Sequence, residues 1–282
     1  MAKNRHLKRM TRIHAFFAST LTALSLALSS PALASSNIAG VEKIELRPGW
    51  RMANGTHMSA IRIVLEPGWK TYWRAPGDFG IPPQFDWSGS RNIARISTQW
   101  PTPEVFFEQG FRSVGYRGEV IIPLSIRPTD RKQNLYLKAR MQIGLCKEVC
   151  IPTNFSFESV LPEANSKKDP IIAAAQANIP YTAKEAGVTS VTCQIKPGNA
   201  GALNLNVSIE LPSTGDREYV VVEAGNPLVW VAEPVSKRQG ITLHASTQLE
   251  HVERRSFALD RSALRFTILG TSRAVDIQGC TR

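Results

Sequence analysis

Histidine and cysteine are scarce in this chain, with five and four in 282 residues. Past residue 34 only His57, His244 and His251 remain, and none belongs to an H-E-x-x-H. The cysteines fall as one close pair, Cys146 and Cys150, and one distant pair, Cys193 and Cys280. A structural zinc site wants two short-spaced ligand pairs, so this arrangement does not make one. No G-x-S-x-G, P-loop or G-x-G-x-x-G occurs, which removes the hydrolase, kinase and dinucleotide-binding classes together. Unbroken apolar runs of about 18 residues are also lacking, so no membrane-spanning helix is expected. Lysine and arginine exceed the acidic residues but are scattered, without a dense run or aromatic interleaving. Nucleic acid is therefore not the expected partner.

Much of the positive charge sits at the start. Lys3, Arg5, Lys8, Arg9 and Arg12 precede an apolar stretch from about Ala15 to Leu28, and Pro31-Ala32-Leu33-Ala34 supplies an A-x-A cleavage pattern. This reads as a secretory signal peptide over residues 1–34, cut after Ala34. Losing the five leader cations takes the net charge from +11 to +6. The mature chain is then an exported, periplasmic protein with no integral membrane segment, in a compartment where disulfides persist.

What the chain has in quantity is short alternating segments separated by turns. Val41–Leu46, Met58–Leu65, Ile93–Ser97, Val120–Ile126, Leu135–Leu145 and Phe155–Leu161 read as strands. Pro48-Gly49, Asn54-Gly55, Pro67-Gly68, Ser88-Gly89 and Arg117-Gly118 punctuate them. That spacing predicts an all-β fold with a β-sandwich over residues 35–163. Residues 164–181 predict a helical linker, with Asp169 as N-cap and Pro170 as the first helical residue. Residues 182–282 return to strands at Ser190–Ile195, Leu203–Leu211, Tyr219–Glu223, Ile241–Ala245, Ser256–Ala258, Leu264–Leu269 and Ala274–Ile277, a second sandwich-like domain.

The chemistry concentrates at Cys146-Lys147-Glu148-Val149-Cys150. Leu135, Leu137, Ala139, Met141, Ile143 and Leu145 share one parity of a strand, and Tyr136, Lys138, Arg140 and Gln142 the other. Continued to Cys146, the pattern puts its sulfur on the polar, reachable face. An extended chain would hold the two cysteines about 13 Å apart, whereas a disulfide needs Cα atoms within roughly 4.4–6.8 Å, so bonding requires a turn. So small a ring removes little entropy from the unfolded chain. A bond that stabilises little and faces water is suited to being made and broken. Lys147 and Arg140 would favour a thiolate and Glu148 oppose one, which leaves the attacking sulfur undecided.

Other assignments stay open beside this one. Met141, Cys146 and Cys150 are soft ligands that suit Cu(I), which would make a copper-tolerance accessory protein. A non-catalytic interaction module with a merely structural bond is the third reading. Cys193 and Cys280, on the first and last strands of the second half, suggest a structural disulfide; a mobile resolving Cys280, or two free thiols, are the alternatives. Trp69, Tyr72 and Trp73 fit core anchors. Asp78-Phe79-Gly80, among prolines, fits a shaped loop able to shield a sulfur pair.

Gly68-Trp69-Lys70-Thr71-Tyr72-Trp73-Arg74-x-Pro76-Gly77-Asp78-x-Gly80-Ile81-Pro82-Pro83 resembles the signature of the DsbD N-terminal-domain family. Trp100-Pro101, Gly115-Tyr116 with Glu119-Val120, and the C-x-x-x-C followed by Ile151-Pro152 do so as well, most closely the ScsB-like branch. The resemblance implies an immunoglobulin-like sandwich in which Cys146 and Cys150 are the redox pair and Asp78, Phe79 and Gly80 the cap. It implies a protein-disulfide reductase component without a bound cofactor, in settings such as cytochrome c biogenesis or copper tolerance. Its partners would be periplasmic thiol and disulfide proteins: a thioredoxin-like donor or acceptor, and a membrane reductase acting in trans. The family's membrane and thioredoxin-like domains are not in this sequence, and its pair is more widely spaced than the C-x-x-x-C here.

Overall fold

The computed structural model describes residues 38–108 and 110–281, so the signal-peptide segment lies outside the described residues. The first half folds as ten strands: β1 (Val41–Arg51), β2 (His57–Leu65), β3 (Lys70–Tyr72), β4 (Gln84–Asp86), β5 (Ile93–Thr98), β6 (Glu104–Glu108), β7 (Phe111–Arg117), β8 (Glu119–Pro128), β9 (Leu135–Cys146) and β10 (Cys150–Leu161). One sheet runs β1-β2-β8-β5; the other runs β10-β9-β3-β7-β6, with β4 also pairing β9. The inward parity of β2, β8 and β9 fills the space between the sheets. Ile61, Ile63, Ile122, Leu124, Leu135, Leu137, Met141, Ile143 and Leu145 form one core with Trp73. Alternation is legible in these strands because each packs one face on that core.

The helix α1 (Pro170–Ala177) follows, with the Asp169 carboxylate accepting from the Ile171 and Ile172 amides at 2.9 and 3.4 Å. It lies along the first half, where Ile172 is buried with Trp50, Met58 and Ala60. Arg47 binds Asp169 at 2.8 Å and holds the helix start to β1.

The second half adds β11 (Tyr181–Thr182), β12 (Ser190–Pro197), β13 (Leu203–Glu210), β14 (Glu218–Glu223), β15 (Val229–Val231), β16 (Val235–Gln239), β17 (Thr242–His251), β18 (Arg265–Gly270) and β19 (Ala274–Gln278). Its sheets run β11-β19-β18-β14 and β12-β13-β17-β15, with β16 also on β17. Leu205, Val207, Ile209, Leu243, Leu249, Phe266 and Ile268 are central to its core. Val221, Leu269 and Ala274 instead pack with the first core, so apolar contact is continuous between the halves.

Two expectations are corrected. Ser256–Ala258 is not a strand; the backbone from Arg254 to Asp260 is irregular. Its three residues pair with no neighbour, and propensity alone does not make a strand without a partner edge. Cys280 lies just past β19 rather than on it, and bonds to Cys193 of β12, with Cα atoms 5.8 Å apart. The tail is also held by backbone bonds, Cys193 N to Thr281 O at 2.8 Å and Thr281 N to Val191 O at 2.9 Å.

Candidate functional site

The β9–β10 hairpin sets the sulfur pair. Its register runs unbroken from Leu135↔Leu161 to a last rung of Cys146↔Cys150. Directly opposed residues of an antiparallel ladder project to the same face, which brings the two side chains together. The cysteines are bonded, with Cα atoms 4.2 Å apart, and Lys147-Glu148-Val149 make the turn. A strict two-strand register thus does what an extended chain cannot.

The two sulfurs occupy different surroundings. Cys150 is exposed, whereas Cys146 is 1% exposed. This corrects the expectation of a reachable Cys146. Parity does put it on the outer face of β9, but that face is covered at its end. From Tyr136 to Gln142 the outer positions are partly or fully exposed; Gly144 and Cys146 are buried. A Cβ on Gly144 would stand 2.7 Å from Ile81 Cβ and 2.9 Å from Tyr72 Cδ2. The glycine is what lets the loop from Arg74 to Pro83 and the Tyr72 ring lie flat against the strand.

Tyr72, 2% exposed, comes from β3, the strand hydrogen-bonded between β9 and β7. Its hydroxyl oxygen stands 3.0 Å from Cys146 Sγ, 3.1 Å from Cys150 Sγ and 3.4 Å from Phe79 O. Disulfide sulfurs carry no proton, so the phenol is the donor and shares one proton among these acceptors. Burial, with the Glu108 carboxylate nearby, pushes the phenol's pKa up, so the donor stays protonated. Lys70 lies opposite Cys146 in the β3–β9 register. Its ammonium is buried, paired with Glu108 and 5.3 Å from the Phe106 ring centroid. That hydrogen bond holds the Glu108 carboxyl below its usual range.

The loop residues singled out in the sequence gather here. Phe79 packs at a tilt of 46° against Phe111 with ring centroids 4.0 Å apart, yet both residues are half exposed. Asp78 accepts from Trp230 Nε1 at 3.1 Å. Gly77, at φ +85°, turns the loop where a Cβ would meet Arg112 O at 3.0 Å, a conformation suited to glycine. Val149, which is 71% exposed, adjoins Cys150 in the turn, whereas Ile151, opposite Leu145 in the register, takes the other face of β10.

Three other expected members are elsewhere. Met141 is buried in the core, on the face of β9 opposite Cys146, so the ligand set Met141, Cys146 and Cys150 is not assembled. Residues five apart on a strand cannot share a face. Arg140 pairs with Asp86 at 3.3 Å, six residues up the strand from Cys146. Lys147 packs along the main chain at Gly68. Among the described residues, no three His, Cys, Asp or Glu side chains converge as a metal site.

Residues 42–162 match the family described as "Thiol:disulfide interchange protein DsbD, N-terminal". Residues 42–162 form a domain of the DsbD N-terminal-domain family. That DsbD segment spans both sheets of the first half and contains the whole Cys146–Cys150 hairpin. The crystal structure of the N-terminal periplasmic domain of ScsB from Proteus mirabilis has the same fold, with a TM-score of 0.63 at 20% identity. The match covers 83% of this chain and 91% of that one, so it reaches well beyond the DsbD segment into the second half. No curated protein sequence matches the chain. Among the described residues, no helix is long and apolar enough to cross a membrane.

Sequence reasoning missed Tyr72 and Lys70 as site residues. Tyr72 stood in the quoted motif but read as a core anchor, and its burial fits that reading. The available signal was its parity: on a strand beside Trp73, one of the two aromatics must face outward.

Proposed function

We propose that Cys146–Cys150 is the working centre of a periplasmic thiol–disulfide interchange protein, trading two electrons with a cysteine pair on a partner protein. The observation that carries this reading is the asymmetry of the pair: one sulfur open to visitors, its mate sealed beneath a tyrosine and a loop. A partner's thiolate attacks Cys150 Sγ, the sulfur within reach. A new intermolecular S–S bond forms, the Cys146–Cys150 bond breaks, and Cys146 leaves as the thiolate. The Tyr72 hydroxyl, already at that sulfur, hydrogen-bonds the developing charge. The partner's second thiolate then attacks its own sulfur in the mixed disulfide and releases Cys150. The partner ends oxidised, this chain reduced, with two electrons transferred and two protons taken up. Reversal sends electrons outward, again through Cys150.

The exposed Phe79 and Phe111 of the covering loop and its neighbour strand, with Val149 in the turn beside Cys150, support a protein as the reactant. Exposed aromatics around a reactive centre give a docking surface that a small thiol does not use. The partner class that fits is a thioredoxin-like protein with a C-x-x-C pair, with a membrane reductase in trans as the further electron source. The reduced protein is mixed with an oxidised C-x-x-C protein, or the reverse pair, and thiols are counted by alkylation and mass. Transfer is expected at least about tenfold faster than with glutathione at the same concentration, since docking raises the effective concentration of the reacting sulfurs. Transfer no faster than with glutathione would contradict the reading.

A further inference from the structure

The loop over the sulfur pair has a second neighbour. Its outer side faces a cleft of about 570 Å³ whose far wall is β14, β15 and the segment between them. Three side chains cross between the halves there. The Arg74 Nε lies 3.1 Å from both Glu223 carboxylate oxygens, and its guanidinium donates to Thr267 Oγ1 at 3.1 Å. Arg112 pairs with Glu233 at 3.1 Å. The third is the Trp230 Nε1 bond to Asp78.

The three ties differ in what they hold. Arg74 lies two residues past β3 and Arg112 within β7, so both hold at the base of the loop, next to strands. Asp78 is next to Phe79, whose carbonyl accepts from Tyr72 and whose ring covers Phe111. Lifting Phe79 from Tyr72 therefore carries Asp78 away from Trp230. Both partners of that bond are exposed, with Trp230 at 43%, so it can break without unpacking either core.

We infer that Trp230 is a positioning residue for the sulfur pair: it latches the loop closed from the second half and sets how often the cover over Cys146 lifts. The latch gives the second half a task beyond packing, which is to govern access to a disulfide it does not contain. This inference rests on the exchange reading, and its test uses a small disulfide so that the two stand or fall separately.

Oxidised glutathione in excess is added to the reduced Cys150→Ser protein, in which the covered Cys146 is the attacking thiol, and the mixed disulfide that forms is followed by quenched alkylation and mass spectrometry. Cys193–Cys280 serves as an internal reference. Trp230→Phe in that background, which keeps the ring and removes the N–H, should speed this reaction about three- to tenfold, the worth of one hydrogen bond. Asp78→Ala should do the same, and Asp78→Asn, which keeps an acceptor, should stay near the rate of Cys150→Ser alone. The double variant Trp230→Phe/Asp78→Ala should gain no more than either single one. The urea midpoint should not move, which separates a latch from general loosening. Unchanged rates in both single variants, or gains that multiply, overturn the latch while leaving exchange intact. A wild-type pair that glutathione cannot reduce overturns exchange, and the latch with it.

Discussion

A Cys146→Ser protein is expected to react with oxidised glutathione at nearly the rate of the reduced wild type and then to stop, holding one glutathione on Cys150. The Cys150→Ser protein should react about 30- to 150-fold more slowly. The difference follows from burial. Cys150 is the exposed residue of the pair, while Cys146 sits beneath Tyr72 and the loop carrying Phe79. An attack through Cys146 waits for that cover to lift, a local opening of about 2–3 kcal/mol, and each 1.36 kcal/mol is tenfold in rate. Serine at 146 keeps a small polar group under Tyr72 but removes the nucleophile that would clear the mixed disulfide. Mass spectrometry on samples quenched in acid reads both outcomes. Equal rates for the two variants would mean that the cover is no barrier.

Stability should show the opposite ranking of the two disulfides. Replacing Cys193 and Cys280 together by alanine should cost about 4–5 kcal/mol in the chain-entropy account, because the bond closes a loop across 87 positions. The pair joins β12 in one sheet to the tail after β19 in the other, so its loss also frees the chain's last residues. Replacing Cys146 and Cys150, four positions apart, should cost only about 2 kcal/mol on the same scale. Urea unfolding of the oxidised proteins, followed by tryptophan fluorescence, measures both. A bond that contributes little to the fold leaves its sulfurs free for chemistry, and the two pairs divide those roles.

Much of the frame was legible in the sequence because long strands carry their own pattern. β9 and β13 alternate over eight residues or more with one face on a core, whereas β2 also packs Met58 and Ala60 beneath α1 on its other face. The helix was legible from Asp169-Pro170, where a side-chain cap and a ring with preset φ coincide. The short strands were not. β3 and β4 have three residues each, too few to show a period, and they exist because β9 offers them an edge. β6 and β7 form a hairpin from a stretch whose prolines, glycines and paired phenylalanines read as loop.

The site divided along the same line. Its two cysteines could be picked out from spacing, and the loop from its Pro-Gly-Asp-Phe-Gly composition. The exposure of Cys146 could not. Parity states which face of a strand a residue takes; what covers that face depends on Ile81 and Tyr72, more than sixty residues earlier. Met141 as a ligand was excluded by the alternation already in view, since its parity is that of Leu137 and Ile143. Trp230 carried no signal, because its partner Asp78 lies 152 positions away.

The claim beneath all of this is that one disulfide is poised for exchange and the other is built to last. The most direct test equilibrates the folded protein across a series of thiol–disulfide redox buffers and reads both bonds in the same sample by alkylation and mass spectrometry. Cys146–Cys150 should be half reduced at a potential well above about −300 mV, with Cys193–Cys280 still oxidised there and reduced only below it. Two bonds that reduce together, or a Cys146–Cys150 bond that outlasts its neighbour, would contradict the account.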